Sequence, residues 1–148
     1  MLPGLENAEF ARYGVMHKNA YIKSPGLLDK YFRVRTKPTL IFCGQMTGVE
    51  GYIESAASGL LGGLGAAYTI LQKSLPDFPN STALGALAEY VSESVSPDFQ
   101  PMHICFGIMS PPEEHIRKKS LRREYMAARA LEQIDMIAEQ LRKEDSHV

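Results

Sequence analysis

A chain of 148 residues, 45% hydrophobic and 22% charged, is long enough for one domain with a buried core and is not disordered by composition. Its formal net charge of -1 provides no overall field that would attract nucleic acid, a membrane surface or an acidic substrate, so any charge argument must be local. No apolar stretch is long enough for a membrane span, and no basic segment precedes an apolar one at the start. We therefore expect neither a membrane span nor a secretory signal.

The cysteines and histidines give no sign of a disulfide framework or a zinc site. Cys43 and Cys105 each stand in an apolar run without CxxC spacing, which predicts reduced thiols and a cytoplasmic location. The four histidines are scattered and form no ligand-like pair: His17, His103, His115 and His147. No metal site is expected.

The first forty residues predict short elements separated by turns. The opening "MLPGLENAEFARYGV" combines turn residues with a strand-like run and predicts entry into a domain partway through. Residues 10 to 22 predict one or two short strands, and residues 24 to 38 predict a turn, a short element and another turn.

A buried strand and a long helix are predicted next. "TLIFCG", residues 39 to 44, is an apolar run without alternation, which is typical of a parallel strand buried on both faces. Residues 52 to 72 have the length and composition of a helix, although they contain Gly59, Gly62, Gly63 and Gly65. Each interior glycine costs roughly 0.5 to 1 kcal/mol relative to alanine, so these four need a packing reason.

The second half is predicted to be mostly helical. "TALGALAEYVSES" predicts a helix capped by Ser81 or Thr82, and "PDFQPMHICFGIMSPP" predicts a short strand or an extended segment. A last helix is predicted from Pro112 to about Lys143, with Glu113 and Glu114 in its first turn. Its predicted buried face consists of Leu121, Tyr125, Ala128, Leu131, Ile134, Ala138 and Leu141.

The glycines between the strand and the first long helix are spaced G-x-x-x-G-x-x-G, at Gly44, Gly48 and Gly51. This spacing departs from the G-x-G-x-x-G dinucleotide fingerprint. A strand that ends in glycine and leads into a helix can still place a ligand at the unpaired N–H groups of the helix N-terminus. A purely structural turn and close packing of a helix rich in small residues remain open alternatives.

Four ordered segments resemble one family of enzymes. "GQMTGVEGYIESAASGLLGG" resembles the C-terminal flavin-binding segment of the folate- and FAD-dependent tRNA (uracil-5-)-methyltransferases, which are related to the larger GidA-type flavoproteins. "LPGLENAEFARYGVMHKNAYIKSP", "TALGALAEYV" and "FQPMHICFGIMSPPEEHIR" resemble its flanking segments in the same order. The resemblance covers nearly the whole chain up to the last helix and corresponds to about the last third of the enzyme.

The resemblance implies a cytoplasmic bacterial enzyme with a Rossmann-type FAD-binding domain. Such enzymes use reduced FAD and methylenetetrahydrofolate to methylate C5 of the T-loop uridine of tRNA, and NADPH, or alternatively NADH, reduces the flavin. Some close relatives modify rRNA instead. The chain is expected to be an α/β C-terminal fragment of that domain, with strands, glycine turn and flavin-facing helix in residues 1–80 and a mostly helical part in residues 81–148.

The resemblance also implies which residues approach the cofactors. Gly44 and Gln45 would lie beside the ribityl chain and ring of the flavin, and Gly51, Tyr52 and the helix start would face its pyrimidine edge. Tyr52 is also expected to stack on the folate, with a core or helix-start aromatic as the alternative. The remaining cofactor-pocket candidates are Glu54, which alternatively only complements the helix dipole, and His17 and Asn19 in a segment resembling the family's "HRNT" signature.

No catalytic residue is assigned to this chain. The N-terminal ADP-binding motif and the methyl-transfer cysteines of the family are absent from it, and Cys43 and Cys105 are not expected to replace them. Cys43 is expected to lie inside a buried strand, where a thiol in apolar surroundings is inert. His103 and Cys105 stand where the family pattern predicts asparagine, so no polar substrate contact is predicted from that segment. The chain alone is expected to be inactive and to depend on a partner or on oligomerisation.

A basic cluster near the start of the last helix offers a contact to RNA. It consists of Arg117, Lys118, Lys119, Arg122 and Arg123. Such a cluster can bind phosphates, or it can be the solvated face of a helix. The alternatives in function are a non-catalytic RNA-binding or interaction module and a fragment of a GidA-type tRNA uridine-modifying flavoprotein.

Overall fold

The computed structural model describes residues 3, 4, 6–9, 14 and 20–145. Its elements, in chain order, are β1 (Arg33–Val34), β2 (Lys37–Ile41), a single 3-10 turn (Gln45–Thr47), α1 (Tyr52–Ile70), α2 (Ala83–Glu93) and α3 (Lys119–Asp145). The described chain is a small α/β structure of one two-stranded sheet and three helices. The predicted strands of residues 10 to 22 fall mostly outside the described residues.

The sheet differs from the sequence-based prediction. β1 and β2 pair antiparallel, with Arg33 opposite Ile41, and the first four residues of β2 are exposed. The prediction of a parallel strand buried on both faces is therefore wrong. Burial on both faces needs strand neighbours and covering helices, and β2 has only β1 beside it in the described chain.

Helix α1 confirms the predicted long helix, and two of its glycines have the expected packing reason. A Cβ on Gly62 would overlap the Cys43 sulfur, and one on Gly65 would lie 2.9 Å from Cβ of Tyr31. Gly59 and Gly63 face open space, where an added Cβ would meet no atom within 4 Å. Close packing therefore explains only half of the interior glycines.

Helix α2 confirms the second predicted helix and its cap. The Thr82 hydroxyl accepts a hydrogen bond from the Gly85 N–H at 3.0 Å and donates one to the Pro79 carbonyl at 2.8 Å. The apolar side of α2 completes the main core, whose buried members are Leu28, Tyr31, Phe32, Val34, Val49, Leu61, Leu87, Ala88 and Val91.

Helix α3 begins later than predicted, at Lys119 rather than Pro112, so Glu113 and Glu114 lie outside it. The Pro111 carbonyl, which would accept an early hydrogen bond of the predicted helix, accepts one from Arg129 instead. The predicted buried face is also largely wrong, because Leu121, Tyr125 and Leu131 are 50%, 46% and 67% exposed.

One residue outside that predicted face anchors α3. Met126 is buried and packs with Ala86 and Met109 in a second, smaller core cluster. Residues 97–112 form neither a helix nor a named strand; they include bends at 97–98 and 109 and a turn at 106–108. One parallel bridge, between Val49 and Met102, joins this segment to the rest of the molecule, and the predicted strand or extended segment is found only around that bridge. Among the helices that the structure describes, none combines the length and the apolar character needed to cross a membrane.

Candidate functional site

The turn from Gly44 to Gly51 connects β2 to α1 and requires glycine by its backbone. Gly44, Gly48 and Gly51 have φ angles of 78°, 88° and 110°, a region that L side chains rarely adopt. At Gly48 an added Cβ would also overlap the ring of Phe99. The G-x-x-x-G-x-x-G spacing is thus explained by three backbone positions that require a positive φ.

Buried hydroxyls hold this turn in one conformation. The Gly44 carbonyl accepts hydrogen bonds from the N–H and hydroxyl of Thr47, at 2.9 and 2.7 Å. The Gly44 N–H donates to the hydroxyl of Ser58 in α1 at 2.7 Å, and the Ser24 hydroxyl donates to the Thr47 carbonyl at 2.8 Å. Because all three hydroxyl residues are at most 1% exposed, the turn is preorganised.

The start of α1 presents unpaired backbone donors at the surface. Gly51 provides no side-chain cap, and within the described part of the chain the N–H groups of Tyr52 and Ile53 have no acceptor. The Tyr52 side chain is 97% exposed and is not a core aromatic in the described chain, but as the first residue of α1 it matches the other part of that alternative, a helix-start aromatic. The helix N-terminus can therefore accept an anion or a polar acceptor, with an aromatic ring beside it.

Glu54 occupies part of the same helix end. Its carboxylate accepts a hydrogen bond from the Ile104 N–H at 3.2 Å and lies 3.5 Å from Nδ1 of His103. The pKa of Glu54 is lowered, chiefly by a hydrogen bond from its own backbone N–H and further by Ile104 and His103, although burial opposes the shift. Glu54 thus complements the helix dipole, as the alternative proposed, and also holds the segment of residues 102–104 against α1.

His103 was not predicted as a site residue, yet it lies beside the glycine turn. Its Nε2 is 3.8 Å from the Glu50 carboxylate, and its other ring nitrogen faces Glu54. In the sequence, His103 stood out only because the family pattern has asparagine at this position. The polar neighbours of the turn, Ser24, Thr47 and Ser58, gave no signal, because single serines and threonines occur in any loop or helix.

The structure brings five of the predicted cofactor residues together, namely Gly44, Gln45, Gly51, Tyr52 and Glu54, in one turn and the helix that follows. Gln45 is exposed and lines a cavity of about 320 Å³ with Tyr21, Glu50, Gln100 and Pro101. A cavity of about 750 Å³ lies elsewhere, against Lys73, Met136 and Lys143, and contains none of the predicted site residues. His17 and Asn19 lie outside the described residues.

The five basic residues of the predicted RNA contact are all exposed. Arg117 and Lys118 precede α3, and Lys119, Arg122 and Arg123 lie in its first turns. In the described structure none of the five forms an ion pair with a carboxylate, and the first turn of α3 contains no acidic residue. Cations at a helix N-terminus are unfavourable for the helix itself, so helix stability does not explain this cluster.

Cys43 follows β2 and is half-buried, and Cys105 is exposed; both are free thiols. Burial raises the pKa of the Cys43 thiol, although a backbone hydrogen bond from Gly62 opposes the shift. A raised pKa disfavours the thiolate that a nucleophile needs, which agrees with the expectation that Cys43 is inert.

Comparison with known proteins provides the family. The chain is 51% identical over 141 residues to the methylenetetrahydrofolate--tRNA-(uracil-5-)-methyltransferase TrmFO of Listeria monocytogenes, which covers 95% of this chain and 32% of that protein. It is 53% identical over 136 residues to the protein of the same name from Streptococcus pneumoniae strain 70585, covering 91% of this chain and 31% of that protein. The chain thus spans about a third of the length of these relatives.

A family model matches the segment that contains the glycine turn. The model described as "Glucose inhibited division protein A" matches residues 1–74, which include β1, β2, the turn and all of α1. The resemblance that the sequence suggested is confirmed by both comparisons. The chain belongs to the glucose inhibited division protein A family.

Proposed function

We propose that this chain is the C-terminal part of an FAD- and folate-dependent tRNA (uracil-5-)-methyltransferase. The observation that carries the proposal is the identity of 51% over 95% of the chain to the Listeria protein of that name. The substrate would be the T-loop uridine of tRNA, with rRNA as the alternative. The whole enzyme would be cytoplasmic, and its Rossmann-type FAD domain would include this chain.

The glycine turn would hold one side of the flavin. The two unpaired N–H groups at the start of α1 fit the polar pyrimidine edge of an isoalloxazine ring, and their dipole favours the negative charge of a reduced flavin. At Gly44 the nearest atom to an added Cβ is 4.0 Å away, which leaves room for Gly44 and Gln45 to contact the ribityl chain. His17 and Asn19 complete the proposed set.

Methylenetetrahydrofolate would supply the carbon of the new methyl group and reduced flavin the electrons. NADPH or NADH would reduce the flavin. The residues of this chain would bind and orient these groups. The exposed Tyr52 ring is free to stack on the folate. The chain alone would not catalyse methyl transfer, because its half-buried Cys43 is poorly suited to act as a nucleophile.

A chimera tests this proposal directly. The matching third of the Listeria protein is replaced by this chain, and the purified chimera is assayed for flavin absorbance and for transfer of label from methylenetetrahydrofolate to tRNA. We expect both signals, and we expect Tyr52→Ala to reduce methyl transfer more than Tyr52→Phe does. A chimera that folds and binds FAD but leaves tRNA unlabelled would contradict the proposed reaction.

The isolated chain provides the complementary measurement. It is expected to show neither flavin absorbance nor methyl transfer, and either signal would overturn the proposal that it is only part of the site.

A second candidate function is a non-catalytic RNA-binding module. It is favoured by the unpaired basic cluster, whose cations can bind phosphates without flavin. It predicts that the chain alone binds tRNA in a salt-dependent manner and that reversing the charges of Arg117, Lys118, Lys119, Arg122 and Arg123 abolishes binding. A fragment of a GidA-type uridine-modifying enzyme is the other alternative, and it predicts that this chain does not restore methyl transfer in the chimera.

A further inference from the structure

A further cavity, of about 460 Å³, lies where the segment before α3 meets the first turns of that helix. Its walls are largely apolar and include the ring of Phe106, Pro111, Pro112 and the side chain of Met126. Phe106 is 39% exposed, so its ring is accessible from solvent. This site is called the Phe106 cavity.

The rim of the Phe106 cavity is cationic. Lys119, Arg122 and Arg123 line it, and the guanidinium carbon of Arg123 lies 5.9 Å from the centre of the Phe106 ring. That distance is within the range of a cation–π contact. The cavity therefore combines an aromatic surface with cations that form no ion pair with a carboxylate in the described chain.

Hydrogen bonds and one buried side chain hold the walls of the cavity in place. Arg129 of α3 donates hydrogen bonds to the carbonyls of Ser110 and Pro111, and the Ser110 N–H donates to the Asn80 carbonyl at 3.0 Å. Met126, 4% exposed, packs with Met109 beneath the site. The segment of Ser110 and Pro111 is thus hydrogen-bonded both to α3 and to the loop before α2.

We propose that the Phe106 cavity binds one unpaired nucleobase of an RNA strand, whose neighbouring phosphates contact Lys119, Arg122 and Arg123. This inference rests on the proposed function, which supplies RNA as the substrate class. A nucleobase has flat apolar faces that stack on an aromatic ring, and its strand carries the negative charge that this rim requires. A paired base cannot enter, because its faces are covered by its neighbours in the helix.

The test uses the full chain and a fluorescein-labelled RNA hairpin with a single-stranded loop, with duplex RNA of equal length as the second probe. Binding is followed by fluorescence anisotropy at several salt concentrations. We expect tighter binding of the hairpin than of the duplex. Phe106→Ala should weaken hairpin binding about tenfold, since stacking on one ring contributes roughly that factor. Phe106→Tyr should retain it, and Phe106→Leu should not.

Two further variants separate stacking from charge. Arg122→Gln should weaken binding of both probes and reduce the salt dependence, whereas Phe106→Ala should leave the salt dependence unchanged. Leu131→Ala, at an exposed apolar position of the same helix, should change neither. Circular dichroism of each variant checks that the fold is retained.

The possible failures are distinguishable. If the hairpin binds with salt dependence like that of the wild type but Phe106→Ala has no effect, the Phe106 cavity does not bind a nucleobase and the proposed RNA contact of the basic cluster stands. If neither probe binds, the nucleobase site and the RNA contact of the basic cluster are both overturned. If poly-glutamate displaces the hairpin as effectively as unlabelled RNA does, the cationic rim binds an acidic protein partner, and the proposal that the Phe106 cavity binds a nucleobase is overturned.

Discussion

Gly48 is the position of the glycine turn where the backbone and a neighbouring side chain both exclude a Cβ. Gly48→Ala should reduce the free energy of unfolding by roughly 2 to 4 kcal/mol, because it combines a left-handed φ with overlap of the buried Phe99 ring. Gly63→Ala is the matched control and should stabilise the chain by about 0.5 to 1 kcal/mol, since it lies in a helix facing open space. Urea unfolding monitored by circular dichroism measures both.

The opposite ranking of these two variants would show that the turn relaxes easily. The glycine turn would then no longer support a preorganised binding site.

Glu54 is the residue whose ionisation is tied to the candidate site. Because its pKa is lower in the folded chain, its ionised form stabilises the fold fully above the pKa of an unfolded glutamate, about 4.3. This contribution is lost as the pH falls through the lower, folded pKa. The difference in unfolding free energy between the wild type and Glu54→Gln should therefore be present above the pKa of an unfolded glutamate and shrink below about pH 4.

Denaturant midpoints measured across that pH range provide the check. A constant offset between wild type and Glu54→Gln down to the lowest pH would contradict the lowered pKa.

At the scale of the element, α2 depends on its cap. Thr82 is fully buried, and its hydroxyl both accepts from Gly85 and donates to Pro79. Thr82→Ala should cost about 1 to 2 kcal/mol of unfolding free energy, whereas Thr82→Ser, which keeps the hydroxyl, should cost less than half of that. Equal midpoints for both variants in urea would mean that the lost methyl group, not the cap, carries the effect.

Elements defined by local chemistry were predictable, and those defined by distant contacts were not. The cap of α2 and the bounds of α1 follow from nearby residues. The start of α3 does not, because the Pro111 carbonyl is taken by Arg129, a contact invisible to helix-start signals. β2 was predicted as buried because an apolar run cannot reveal which strands will lie beside it.

The candidate site divides in the same way. The glycine spacing located the turn, and the resemblance supplied its proposed occupant. Periodicity along α1 could not show that Ser58 binds the Gly44 N–H, nor could a scattered histidine show that His103 would lie between Glu50 and Glu54. Both contacts depend on the fold bringing remote segments together.

At the scale of the molecule, α1 leaves large apolar side chains in solvent. Ile53 and Ile70 are 82% and 80% exposed, and β2 has an exposed edge as well. Such surfaces favour association. We expect the isolated chain to form oligomers in size-exclusion chromatography with light scattering, and the double variant Ile53→Lys, Ile70→Lys to shift it toward monomer.

Val95→Lys is the control, since Val95 is 97% exposed but lies in a loop after α2. It should leave the oligomer distribution unchanged. A wild-type chain that runs as a monodisperse monomer would contradict this expectation and would show that the apolar side of α1 is tolerated in water.

The bridge between Val49 and Met102 also sets an order of events during folding. The Glu50 N–H donates to the Met102 carbonyl, and the Met102 N–H donates to the Gly48 carbonyl, both at 3.0 Å. This contact closes a loop that encloses all of α1 and α2, and closing it requires both ends of the loop to exist. A chain emerging from the ribosome therefore cannot form this bridge before Met102 has been synthesised, by which point all of α1 and α2 is present.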